Sequence, residues 1–148
     1  MREAEANQLV YFEDALAEEP ITLADFATFR EKVAQHRRDM QRLIGDIRRL
    51  GMTIVGIGAP SRAATLIGYD GLSVDDVSCV LETKGSGKIG KLLPGTRIPV
   101  LEETPELLRS ASFALLLSHH LPELPGIMRR NGFTGRFIQP LPVVTVHE

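Results

Sequence analysis

The chain reads as an α/β protein, a Rossmann-like parallel sheet flanked by helices and preceded by a long N-terminal helix. Three observations predict this. From Met52 onward, short β-branched apolar runs alternate with helical segments, the pattern of a parallel sheet with right-handed crossovers. Met52–Gly71, MTIVGIGAPSRAATLIGYDG, runs as strand, glycine-bearing turn and helix start. Ahead of it, Thr22–Leu50 carries apolar residues three and four apart without a break.

The chain has 148 residues, enough for one domain that buries about two-thirds of its unfolded surface. The expected organisation is an extension with a short helix over residues 1–21, a connecting helix over 22–50 and the Rossmann-like domain over 51–148. The formal net charge is -2, which gives no bulk attraction for nucleic acid or a membrane surface. No apolar run is long enough to cross a bilayer, and the acidic start lacks the basic and apolar regions of a signal peptide. A cytoplasmic location is the resulting expectation. Cys79 is the single cysteine, so no internal disulfide and no thiolate-rich zinc site can be built, and no metal site is expected. Its apolar surroundings, Val77–Leu81, predict a buried and unreactive thiol.

In residues 1–20, Leu9, Val10, Phe12 and Leu16 recur at roughly helical spacing and predict a short amphipathic helix that ends before Pro20. The long helix follows. Thr22 with Asp25 forms a capping box with Asp in the place of the usual Glu, and Gly51 is the expected stop after Leu50. Phe26, Phe29, Val33, His36, Met40, Leu43, Ile47 and Leu50 trace a seven-residue repeat. At 1.5 Å per residue the helix is about 40 Å long, more than one small sheet covers. Its seam therefore predicts a stalk with a contact beyond this chain, including a homo-oligomer through residues 26–50. His36 on that seam reads as an interface histidine, because no second ligand lies a turn away. The outer face carries Arg37, Arg38, Arg42, Arg48 and Arg49 interleaved with Asp39 and Asp46, a solvated surface more than a nucleic-acid stripe.

The first strand is the run Met52, Ile54, Val55, Ile57, bounded by Gly51 and Gly58. Pro60 then fixes φ, and Ser61 is placed to cap a helix that begins at Arg62 and ends near Tyr69. Such a turn aims backbone N–H groups and the positive end of a helix dipole at one spot, which suits a phosphate. Gly56, Gly58 and Ser61 come close to the dinucleotide fingerprint. Glu82, at the end of the second strand Val77–Glu82, lies where a ribose-binding acid is expected. The competing reading is that small residues stand here because strand and helix pass closely.

Thr83–Lys91 is a basic, glycine-rich loop at the C-terminal end of the second strand. Such loops surround the ligand in doubly wound sheets, and Lys84 and Lys88 are candidates to hold a diphosphate. The segment is no Walker A loop, since it has neither the spacing nor the hydroxyl residue after lysine. A turn at Pro94-Gly95 leads to a short strand near Ile98–Leu101, and Thr104 with Pro105 starts a helix. Ala111–Ser118 predicts a strand covered on both faces, ending in His119 and His120 on the ligand side. One of these can face a ligand, because neighbours at a strand end point opposite ways, and His119 is the candidate. A helix over Leu121–Arg130, a strand over Arg136–Gln139 and a last extended piece, Val143–Val146, complete the chain.

Ile57–Tyr69, IGAPSRAATLIGY, is similar to the C-terminal domain of SAM-dependent C-methyltransferases that modify deoxysugars attached to nucleotides. Gly90–Val100, GKLLPGTRIPV, and the closing Gly132–Pro142 segment extend the resemblance from about Phe26 to Pro142. The family has lysine-glycine where this chain has Arg62-Ala63, so Arg62 keeps the cation, and asparagine where it has Gly68. The resemblance implies a Rossmann-like domain that helps enclose a nucleotide-sugar and holds no SAM. It assigns SAM, a cysteine-rich zinc region and the catalytic residues to other domains. By that reading the chain has no catalytic residue, needs no cofactor of its own and acts beside a missing or separate catalytic domain. Gly58, Ala59, Pro60, Ser61, Arg62 and Thr65, with Glu82, Lys84, Lys88 and His119, are the candidate substrate- or phosphate-binding residues. Two alternatives stand beside this one, a free-standing NAD-binding Rossmann protein using Glu82 on the ribose and a non-catalytic assembly module presenting the 26–50 seam.

Overall fold

The computed structural model describes residues 21–118 and 122–148. The short helix expected within residues 1–20 and the histidines 119 and 120 lie outside the described residues. The chain divides into two compact units, with the boundary between Ala34 and Gln35 inside the long helix α1 (Leu23–Arg49).

In the first unit the start of α1 is capped as its sequence predicts. The Thr22 N–H donates to Asp25 Oδ2 at 2.7 Å and the Asp25 N–H donates to Thr22 Oγ1 at 3.2 Å, so two donors left free by a helix start are satisfied reciprocally. Phe26 and Phe29 stand 61% and 66% exposed.

The second unit is built on a six-stranded sheet. The strands are β1 (Ile54–Ile57), β2 (Cys79–Glu82), β3 (Val100–Glu102), β4 (Phe113–Leu116), β5 (Arg136–Gln139) and β6 (Thr145–His147). Their order is β3-β2-β1-β4-β5-β6, the doubly wound arrangement whose direction of growth reverses between β1 and β4. Residues alternate between two cores. Ile54, Val80, Leu115 and Ile138 face the layer that holds Met40, Ile44 and Ile47 of α1 with Ala63 and Ile67 of α2 (Ser61–Asp70). Val55, Cys79, Ala114 and Phe137 face the opposite layer, with Leu108 of α3 (Pro105–Ser110) and Met128 of α4 (Leu124–Arg130). Strands buried on both sides explain why their sequences are continuous apolar runs rather than alternations.

The four pairings from β3 to β5 are all parallel, but β6 runs antiparallel to β5. Only residues 140–144 separate β5 from β6, too few for a parallel crossover, which takes a dozen or more. The crossover from β2 to β3 contains no α-helix. It is a series of turns pinned by the buried side chains Leu93 and Ile98.

The buried stripe of α1 corrects the expected seam. Met40, Ile44 and Ile47 are the buried residues, and Leu50 is 71% exposed. A straight helix has 3.6 residues per turn, so a strict heptad drifts about 20° per repeat and rotates off the surface it began on. Helix α2 also starts differently from expectation, with Pro60 at the N-cap position, no side-chain cap and Ser61 already helical. No helix among the described residues is long and apolar enough to cross a membrane.

Candidate functional site

The C-terminal ends of β1, β2 and β4 converge at the reversal point, where open α/β sheets form their ligand crevice. The turn after β1 is shaped by Gly58, at φ +79°, a conformation that costs a side-chain-bearing residue free energy. A Cβ at Gly58 would collide with the Ser118 hydroxyl at the end of β4. Gly56 is needed for a different reason. A Cβ there would lie 2.8 Å from Leu117 Cδ1 and 2.9 Å from Val80 Cγ2. The small residues of the turn thus serve the close approach of strands β2 and β4 to β1.

The loop after β2 braces this turn. The Gly58 N–H donates to the Leu81 carbonyl at 2.8 Å. The Ala59 N–H donates to Glu82 Oε1 at 2.5 Å, and Lys88 Nζ donates to the Ala59 carbonyl at 2.7 Å and lies 3.4 Å from Glu82 Oε1. Both backbone groups of Ala59 are therefore engaged, the N–H by the last residue of β2 and the carbonyl by Lys88 of the β2–β3 loop. Partial burial pushes the Glu82 carboxyl up. The Ala59 N–H, the Ser86 hydroxyl and the Lys88 ammonium outweigh that and hold it below the usual carboxylate value.

Beyond Pro60 the donors change character. The N–H groups of Ser61 and Arg62, the first two helical residues, have no hydrogen-bond partner among the described residues. Ser61, Arg62 and Thr65 are exposed, and Ser61 and Thr65 fall four apart on one face of α2. The Arg62 and Lys84 side chains make no ion pair or hydrogen bond among the described residues. Two N–H donors at a helix N-terminus beside a guanidinium are chemically suited to phosphate oxygens.

The structure thus brings Gly58, Ala59, Pro60, Ser61, Arg62, Glu82 and Lys88 together around one turn, with Thr65 one helical turn on. Lys84 lies on the same loop as Lys88. His119 lies outside the described residues. Ser118 was not singled out from sequence, since a serine at a strand end carries no local signal, and only the sheet order sets it against Gly58. Among the described residues no three His, Cys, Asp or Glu side chains gather as a metal site would require.

His36 also found a partner that sequence did not suggest. Its Nε2 lies 3.2 Å from Oδ2 of Asp70, a fully buried acid at the end of α2. The partners are 34 residues apart, a separation that no local pattern encodes. Burial pushes the Asp70 carboxyl up, and His36 and Arg37 only partly oppose it. His36 is therefore an internal pairing residue and not a member of an outward seam.

The sequence profile of the C-methyltransferase C-terminal domain matches residues 3–142. C-methyltransferase NovU of Streptomyces niveus is 32% identical over 123 residues, covering 80% of this chain and 28% of that protein. The chain spans well under a third of the length of that relative, and the matched region includes the whole turn from Gly58 to Thr65, the Glu82–Lys88 brace and the sheet that carries them. The chain belongs to the C-methyltransferase C-terminal domain family.

Proposed function

We propose that this domain binds the nucleotide-sugar substrate of a sugar C-methyltransferase and does not itself transfer the methyl group. The observation that carries the reading is the free donor set at the reversal point of the sheet. The Ser61 and Arg62 N–H groups without partners among the described residues, with the exposed Arg62 side chain on the same turn and Lys84 on the neighbouring loop, support a diphosphate there. Membership of the family supports methyl transfer to a carbon as the reaction of the larger system. The deoxysugar as acceptor is part of the proposal.

In this reading SAM binds outside the region that this chain matches. Glu82 argues against the adenosine ribose of SAM or NAD at this turn, because its carboxylate already engages Ala59 and Lys88. The catalytic domain is the expected partner. The exposed Phe26 and Phe29 on α1 favour that helix as the surface it meets, with self-association through residues 26–50 as the second use of the same face. A cytoplasmic site of action fits a nucleotide-sugar pool.

The test is thermal stability against thymidine, uridine and guanosine diphosphate sugars, NAD, NADP and SAM, repeated with Arg62→Ala. Occupancy at 100-fold over Kd adds about 2.7 kcal/mol. A shift with a nucleotide-sugar that is lost in Arg62→Ala is the expected result. Stabilisation by NAD alone, or a flat panel, would replace the reading with the dinucleotide or the assembly alternative.

A further inference from the structure

We infer that the free edge of β6, with the groove between it and α1, is a two-fold interface on which a second copy of this chain docks, joining two six-stranded sheets edge to edge. The interface is independent of what the β1–α2 turn binds, and it lies on a different surface from Phe26 and Phe29.

The two edges of the sheet differ. At β3 the chain covers its own edge, where the Gly90 N–H donates to the Val100 carbonyl at 2.9 Å and the Val100 N–H donates to the Lys91 carbonyl at 2.8 Å. At the opposite edge β6 pairs with β5 on one side, and among the described residues Thr145, Val146 and His147 make no backbone hydrogen bond on the other. A row of unpaired N–H and C=O groups is a template for one more strand, and proteins ordinarily cover such an edge or blunt it with lysine or proline. Neither residue occurs in β6.

Beside this edge the layer between sheet and helix is open. Leu43 of α1, Val144 and Val146 are only partly buried, and with Asp39, Arg42 and Asp46 they line a groove of about 270 Å³. Val146 belongs to both features, its backbone on the free edge and its side chain in the groove. An occupant of the groove therefore meets strand and helix together.

The charges on the rim select the occupant. Arg42 makes no ion pair or hydrogen bond among the described residues, and Asp39, three residues earlier on the same helix face, accepts only from the Gln35 amide, at 2.8 Å. A purely basic partner would leave Arg42 opposite a like charge, and a purely acidic one would do so to Asp39. A second copy satisfies both. Antiparallel pairing of two β6 strands sets the α1 helices alongside each other in opposite directions, and a two-fold axis makes each contact reciprocal, so Arg42 of either copy meets Asp39 of the other. On the opposite face of the strand, pairing centred on Val146 puts Thr145 across from His147 of the second copy. Thr145 Oγ1 and His147 Nε2 already lie 2.8 Å apart within one chain, and the same hydroxyl–imidazole match repeats across the axis. Leu43, Val144 and Val146 form the apolar centre of the interface, and the charged pairs form its rim.

Sedimentation equilibrium of the 148-residue chain tests this. The chain should pass from monomer to dimer between about 1 μM and 1 mM, the range of a small transient interface. Hydrogen exchange at the Thr145–His147 amides should slow as the dimer forms. Arg42→Glu should weaken dimerisation about tenfold, and Arg42→Glu combined with Asp39→Arg should restore it to within about threefold of wild type. Phe26→Ser with Phe29→Ser should leave it unchanged.

A chain that stays monomeric over the whole range would overturn the inference. So would a dimer whose β6 amides exchange as fast as those of the monomer, or a charge swap that restores nothing. A dimer abolished by the two phenylalanine changes and indifferent to Arg42→Glu would overturn it in favour of the 26–50 seam. The wild-type mass and exchange decide the matter even where a variant does not fold, and none of these outcomes bears on the nucleotide-sugar reading.

Discussion

Gly58, Gly56 and Gly68 are three glycines with three different environments, and the differences set the sign of substitution. Gly58 combines a positive φ with a collision against Ser118, so Gly58→Ala should destabilise by about 2–4 kcal/mol. Gly56 lacks the backbone strain and meets only side-chain atoms of Leu117 and Val80, so its alanine variant should cost less, about 1–3 kcal/mol. Gly68 lies inside α2 with nothing within 4 Å of an added Cβ, so Gly68→Ala should stabilise by about 0.5–1 kcal/mol. Urea unfolding of the three variants checks the order. Two carboxylates make opposite predictions for pH. Glu82 is held below its ordinary value of 4.5, so its folded form binds fewer protons than its unfolded form. Its contribution is present above that value and is lost as pH falls through the folded pKa. Asp70 is raised above its ordinary value of 3.8, so its contribution is present below that value and is lost as pH rises through the folded pKa. Stability relative to wild type, followed from about pH 3 to 7, should therefore worsen for Glu82→Gln with rising pH and improve for Asp70→Asn.

The helix α1 shows how one element carries two periodicities. Its sequence keeps a seven-residue repeat, but the sheet reads the 3.6-residue turn, and the buried residues are Met40, Ile44 and Ile47. Met40 has no exposed surface, so Met40→Ala should cost about 2–5 kcal/mol through lost burial and the cavity left behind. Leu50, on the same repeat but exposed, should cost no more than about 0.5 kcal/mol. Comparable losses at both positions, read by chemical unfolding, would return the heptad seam as the packing face. The turn before α2 makes a related point about elements. Ser61 has the chemistry of a cap, but Pro60 takes the N-cap position, and the serine becomes the first helical residue with its N–H free.

At the scale of the molecule, the sheet is the body on which the helices of the second unit pack, and Cys79 reports on it. The thiol lies on β2 at 4% exposure, and burial raises its pKa, so a thiol-specific reagent should label it only when the sheet opens. Labelling at a rate near that of a free thiol in the native state would contradict the packing. The alternation of apolar runs with helical segments was enough to read an α/β domain with a long leading helix, because local periodicity reflects which faces are buried. The Gly58–Arg62 turn was legible for the same reason, glycine and proline being local determinants of backbone shape. The sequence did not contain the order of the strands, the pairing of His36 with Asp70, or the meeting of Ser118 with Gly58. Nor did it show that Glu82 and Lys88 would close on Ala59 rather than stand open to a ligand. Each of these joins residues distant along the chain, and such pairs are chosen by the free energy of packing the whole sheet and its layers, to which no local stretch has access.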